Sequence, residues 1–278
     1  MAASGIKLRE IEPAVARWQI EDFIVRKVVD AGMTGGVVGL SGGIDSSTVA
    51  FLAASAFKRH AAEKPAAGRL ELLGLILPSA TNSPQDEADA RDVAGRLGIE
   101  CITVGIQPLI DTFARVIPAA LGNRYHVGNL SSELRAVVLS RHAAARRRLI
   151  LGTGNRDEDY CLGYFTKRGD GAVDISPIGS LSKRNVRILA AHMGVPERII
   201  TKAPAAGLWH GQTDEGELGF TYEFAERVIA GHDSGLTRDA IASELGCSSE
   251  AVGKVMARYN ANKHKMEMPE IAPVTFVG

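Results

Sequence analysis

The chain has 278 residues, 45% of them apolar and 23% charged, and Lys plus Arg equal Asp plus Glu at 32 each. That length is ample for one large domain with a sizeable core, and the composition is ordinary for a globular protein in water. A net charge of zero argues against a dedicated nucleic-acid binder and against a polybasic membrane contact.

The opening stretch MAASGIKLREIEP holds no apolar signal core, and nowhere do about 18 apolar residues run together. Cys101, Cys161 and Cys247 stand far apart and outside any CxxC pair, as expected of incidental thiols in a reducing, cytoplasmic setting. Leu8, Ile11, Val15, Trp18, Phe23, Ile24 and Val28 fall at helical spacing and predict a helix over 8–31. A strand over Val37–Leu40 and a helix over Ser46–Lys58 follow. The apolar run Leu70–Pro78 predicts a second strand. Ser83–Gly98 predicts a helix, with Ser83 as N-cap, Pro84 at the first helical position and acids in the first turn. Ile99–Val104 is the third strand. Helical material spans about 107–148, and Arg148–Gly154 is the fourth strand.

Strands and helices alternating at about 30 residues per unit mean an α/β fold, a Rossmann-like parallel sheet with helices on both faces. Ligands of such sheets bind beyond the carboxyl ends of the strands, where Ser41, Ser79 and Thr153 fall. After residue 160 a long stretch rich in glycine and polar residues intervenes, a length that points to function. A helix over 181–193, a second glycine-rich loop and a helical C-terminal part complete the chain.

The stretch Ser41-Gly42-Gly43-Ile44-Asp45-Ser46-Ser47, between a strand and a helix, concentrates the chemistry. No lysine follows the second glycine, so it is not a GxxxxGK[ST] loop, and the spacing of Gly39, Gly42 and Gly43 is not GxGxxG. Glycines admit a ligand close to the backbone, successive amides form an anion nest, and a helix N-terminus adds positive potential. Asp45 would repel a phosphate unless Mg²⁺ stood between them. A plain helix cap would need one of these residues and not all of them.

The SGGxDSS turn resembles the pyrophosphate-binding loop of the ATP pyrophosphatase superfamily, whose adenine nucleotide alpha hydrolase-like fold it implies. GYFTKRGDGAVDISPIGSLSK (Gly163–Lys183), KAPAAGLWHGQTDEGELGFTYE (Lys202–Glu223), LPSATNSPQDEADA and NKHKMEMP are similar to NAD synthetases of the ammonia-dependent type, over about residues 15–270. The resemblance implies a single NAD synthetase-like domain over 1–278 that adenylylates nicotinic acid adenine dinucleotide with ATP and Mg²⁺ and amidates it with ammonia. Carried over residue by residue, it places ATP on Gly39, Leu40, Ser41, Gly42, Gly43, Ile44, Asp45, Ser46, Ser47, Leu77, Ser79, Thr153 and Lys183. It places the dinucleotide on Arg135, Lys167, Asp174, His264 and Lys265, and the metal on Asp45 and Glu158. Asp45, Asp174 and Lys183 become the catalytic set, with Asp174 placed to take a proton from ammonium. Asp157 or Asp159 is an alternative metal ligand. The resemblance also implies a homodimer.

Only 40 residues precede Ser41 and none is cysteine. No glutaminase domain is therefore expected, and ammonia would come free or from a separate glutaminase. Three departures stand out: Glu133 where the family carries an arginine that contacts the dinucleotide, Ala205 where Ser or Thr is frequent, and one extra residue between Thr153 and Gly163. They keep open a divergent ligase that amidates a different carboxylate. Leu236–Tyr259 also reads as a helix-turn-helix, but Arg238, Lys254 and Arg258 are balanced by Asp239, Glu244 and Glu250, unlike a DNA-recognition module. Two packed helices are the plainer expectation.

Overall fold

A computed structural model describes residues 5–205, 207, 209 and 211–276. Four parallel strands, β1 (Gly35–Gly39), β2 (Glu71–Ile76), β3 (Glu100–Thr103) and β4 (Leu149–Ile150), lie in the order β3-β2-β1-β4. Val37 on central β1 faces Leu73 on one side and Ile150 on the other. Val37 and Val38 are both fully buried, each in a different core. Two covered faces explain why the strands read as unbroken apolar runs.

Helices α1 (Pro13–Asp30), α2 (Ile44–Glu63) and α3 (Pro84–Leu97) pack on one face through Ile24, Leu52 and Val93, while α4 (Gln107–Val116) and α5 (Arg124–Arg146) cover the other through Ile110, Leu130 and Leu134. Helix α6 (Lys183–Met193) returns to the first face and buries Val186 and Leu189. Helix α3 is built as its sequence predicts. The Ser83 side chain accepts the Asp86 amide, Pro84 opens the helix, and Gly98 ends it at φ +61. Helix α1 starts at Pro13 and not at residue 8, because Glu12 caps it through the Ala14 and Val15 amides.

The fourth strand is shorter than Arg148–Gly154. The segment after it instead pairs with residues from the long glycine-rich loop: the Asp174 and Ile175 amides donate to the Ile150 carbonyl, and the Gly152 amide donates to the Ile175 carbonyl. Only Leu151 forms an isolated bridge there, to Ile175. After a π-helical turn over Arg156–Cys161 and α6, the chain runs through α7 (Glu197–Ile200), α8 (Asp214–Leu218), α9 (Tyr222–Asp233), α10 (Arg238–Leu245), α11 (Ser249–Ala261) and α12 (Lys263–Met266). A third apolar cluster joins Leu162 to Ile229, Ile241, Val252 and Val255 of this helical part. Within α10 and α11 the polar groups pair with each other. Arg238 donates to the Ser249 carbonyl, Ser249 to Asp239, and Lys254 lies beside Glu250. All three thiols are unpaired. Among the described residues no helix is long and apolar enough to cross a membrane.

Candidate active site

Strand β1 ends where the Leu40 amide donates to the Leu75 carbonyl, and α2 begins four residues later with Gly43 as its N-cap. The hydroxyls between them hold the turn. Ser46 Oγ donates to the Gly43 carbonyl at 3.1 Å and accepts the Ser41 amide at 3.2 Å, and Ser47 Oγ donates to the same carbonyl at 2.8 Å. With these side chains committed to bracing, the first amides of α2 are left to meet an anion. Gly42 is held at φ +76, and a Cβ there would lie 2.2 Å from the Asp86 carbonyl oxygen. The turn is thus wedged against the first turn of α3, and Lys202 ties the two together by donating to Asp86, to Asp89 and to the Gly42 carbonyl.

Asp45 stands in the first turn of α2 and meets residues from far along the chain. Lys183, at the start of α6, donates from Nζ to Asp45 Oδ2 at 2.6 Å and to Glu158 Oε1 at 2.7 Å. Asn155 Nδ2 donates to Asp45 Oδ1 at 3.1 Å while its own Oδ1 accepts the Asp157 and Glu158 amides, so one side chain both starts the π-helical turn and aims Asp45. Asp157 points the other way: it is 1% exposed and its Oδ2 accepts the Lys183 amide at 2.8 Å. Burial raises its carboxyl to about 6. Burial also raises Glu158, to about 7, and drives Asp159 well above the carboxylate range. Burial disfavours the charged Lys183 amine, but Asp45 and Glu158 outweigh it and hold the amine charged.

These groups sit at one end of a cavity of about 660 Å³ beyond the carboxyl edge of the sheet. Leu40, Ile76, Leu77 and Leu139 give it an apolar wall. Arg135 spans that wall by donating to the Leu77 carbonyl at 3.0 Å and to Asn82 Oδ1 at 3.0 Å. On the outer side Trp209 meets Tyr125 edge to face at 5.2 Å, with the Arg124 guanidinium 4.6 Å over the indole. Thr81 Oγ1 fixes the same loop by donating to the Gly207 carbonyl. A pocket of this volume, part apolar and ringed by a braced anion turn and a charged cluster, suits a nucleotide.

The sequence model of the NAD synthase family matches residues 17–269. The chain belongs to the NAD synthase family. It is similar to the NH(3)-dependent NAD(+) synthetase of Methanococcoides burtonii, 40% identical over 91% of this chain and 92% of that one. It is also similar to that of Halobacterium salinarum, 43% identical over 95% of each. Among solved structures it resembles the NMN synthetase from Francisella tularensis, with a TM-score of 0.81 and 32% identity over 95% of this chain and 100% of that one.

In this NAD synthase chain the cavity gathers most of the residues expected to bind ATP. Gly39, Leu40, Ser41 and Gly43–Ser46 line it, as do Leu77, Thr153, Glu158 and Lys183. Gly42, Ser47 and Ser79 stand behind the lining and shape it. Ser79 Oγ bonds to Asn82 and Thr81. Of the residues expected on the dinucleotide, Arg135 and Lys265 line the cavity. Lys167 and His264 do not: Lys167 Nζ donates to the His264 and Glu267 carbonyls at 2.8 and 2.7 Å, clasping the C-terminal segment. Asp174 is not brought to the site. Its Oδ2 accepts the Ile150 amide at 2.7 Å, and it lines an open pocket that adjoins the main cavity across Ala136, Ile150, Ala172 and Val173. Glu133 also lies outside the lining, whereas Ala205 is part of it.

Sequence reasoning missed Asn155 and Lys202. Asn155 was visible as an N-cap before three acids. Residues Arg156–Cys161 form a π-helical turn, which sets the Asp159 carboxylate against Gly154 on the cavity wall.

Proposed function

We propose that this chain amidates the carboxylate of nicotinic acid adenine dinucleotide with ammonia, cleaving ATP between its α and β phosphates and giving NAD, AMP and pyrophosphate. One observation carries the reading: Asp45, Lys183 and Glu158 converge within 2.7 Å contacts beside the braced Ser41–Ser47 turn, inside a nucleotide-sized cavity. The names of the curated relatives supply the product and the nitrogen donor.

A carboxylate is a poor electrophile, so the nicotinate carboxylate first attacks the α-phosphorus and becomes an acyl adenylate. That step depends on alignment and charge neutralisation. The turn and the α2 amides hold the departing pyrophosphate. Lys183 supplies a buried cation at the phosphates, and Leu77 with Arg135 forms the wall against the adenine. Ammonia then attacks the acyl carbon and AMP leaves.

Acidic side chains outnumber basic ones on the cavity wall by eight to five among the described residues, a balance that favours a polyanionic nucleotide arriving with its own cation. The residues fit Mg²⁺ in that way. Asp45 and Glu158 already converge on one cation, the Lys183 ammonium. No cluster of three or more metal-ligating side chains exists among the described residues, which matches a metal completed by phosphate oxygens. When bound, Mg²⁺ would rest on Asp45 and Glu158 and neutralise phosphate charge.

The reading extends to a homodimer in the cytoplasm that takes ammonia free or from a separate glutaminase. A second acceptor is favoured by the likeness to an NMN synthetase: nicotinic acid mononucleotide, the same carboxylate without the adenylyl half. Isotope exchange between pyrophosphate and ATP tests the adenylylation step. The account expects exchange that requires the carboxylate substrate and no ammonium, and exchange without any carboxylate substrate would overturn it.

A further inference from the structure

Lys183 is less than 5% exposed, and its ammonium is shared by two carboxylates from distant parts of the chain, Asp45 on α2 and Glu158 in the π-helical turn. Its Nζ also lies 5.6 Å over the Tyr222 ring, a further contact that favours a cation. The backbone beneath it is fixed, since the Lys183 amide donates to buried Asp157 and Ser182 caps α6. The side chain is long and the amine can swing while the backbone stays. One cation therefore fills the point where both carboxylates aim. Two carboxylates at hydrogen-bond distance from the same ammonium cannot also close around a divalent ion without expelling it, because like charges at that separation repel strongly in a buried site.

We infer that Lys183 is an internal stand-in for the divalent cation, occupying its seat until nucleotide phosphates arrive and draw the ammonium off, so that metal and nucleotide enter together and metal alone does not. This rests on the assignment of Asp45 and Glu158 as the groups that hold the metal. A seat filled in most molecules weakens a competitor by the fraction of molecules in which it is free. The phosphates change that balance by giving the ammonium a new partner and the metal its missing oxygens. The device keeps two part-buried carboxylates compensated in the empty enzyme and guards the site against metal in the absence of substrate.

The test uses Mn²⁺ as the probe on the full chain, with free Mn²⁺ read by electron paramagnetic resonance. The nucleotide is an ATP analogue that cannot be cleaved between α and β, and Mn²⁺ held by free nucleotide is subtracted. For the unaltered protein we expect Mn²⁺ alone to bind at least about tenfold more weakly than with the analogue. Lys183→Met should bind Mn²⁺ alone at least about tenfold more tightly than the unaltered protein does, with a Mn²⁺-dependent rise in melting temperature that the unaltered protein lacks. Lys183→Arg, which keeps a cation there, should remain refractory. Equal Mn²⁺ binding by the unaltered protein with and without analogue overturns the inference, and that arm needs no variant to fold. Unimproved binding by a folded Lys183→Met overturns it as well. Asp45→Asn separates the two readings: if it holds Mn²⁺ and analogue as well as the unaltered protein does, the metal assignment itself fails.

Discussion

Asp157 and Asp45 lie on opposite sides of Lys183 and answer to different forces. Asp157 serves the fold. Its native carboxyl keeps a proton up to about pH 6, while the unfolded one releases it near the ordinary 3.8. Between those values the native state binds more protons, so its stability falls as pH rises through that window and stays lower above it. Asp157→Asn keeps an oxygen for the Lys183 amide and carries no charge. It should match the unaltered protein near pH 4 and exceed it by up to roughly 3 kcal/mol at pH 8, measured by urea unfolding at both values. A gap independent of pH would contradict this. Asp45 is the residue on which the proposed chemistry depends. Asp45→Asn should leave the melting temperature nearly unchanged while lowering kcat for adenylylation by roughly 10²–10³-fold or more. An unchanged rate would remove Asp45 from the site. Asp45 was legible because a carboxylate inside an anion turn has no good structural reason to be there. The direction of Asp174 was not legible, because nothing in a glycine-rich loop states which way a side chain leaves the backbone. Pairing with Ile150 decides that, and it is a contact between distant residues.

Elements were read best where local chemistry and long-range packing agree. The Ser83 cap, Pro84 and Gly98 mark α3 almost to the residue, and the apolar runs mark β1 and β2. The fourth strand was overextended because its second half pairs with Asp174 and Ile175, a partner too short to show a period. The π-helical form of Arg156–Cys161 was not legible, because the turn depends on Asn155 holding two amides and Leu162 packing below. Gly42 carries the sharpest prediction at this scale. Gly42→Ala adds a Cβ 2.2 Å from a carbonyl oxygen of α3 at a positive φ. It should cost about 1–3 kcal/mol of stability and raise KM for ATP more than it lowers kcat, seen in steady-state pyrophosphate release. Unaltered kinetics would mean that the turn does not need its contact with α3.

The whole molecule makes its site by bringing the carboxyl edge of the sheet against the C-terminal helices. The turn and Asp45 come from the first 50 residues, and Glu158, Lys183, Ala205 and Lys265 come from beyond residue 150. Leu162 is fully buried where the π-helical turn meets that helical part. Leu162→Ala should therefore cost about 2–5 kcal/mol, read by chemical denaturation, and should loosen Glu158 so that ATP binds more weakly even where the protein stays folded. The helix pair over Leu236–Tyr259 belongs to the same block, with Ile241 and Val252 turned into its core. The central claim, that the whole assembly amidates a nicotinate carboxylate, is tested most directly by one coupled assay. The purified chain is given Mg-ATP, ammonium and nicotinic acid adenine dinucleotide, with nicotinic acid mononucleotide in a parallel arm, and product is read by a dehydrogenase or by chromatography. An amidated product that requires ATP and ammonium should form, fastest from the dinucleotide. Turnover of neither carboxylate above background would contradict it.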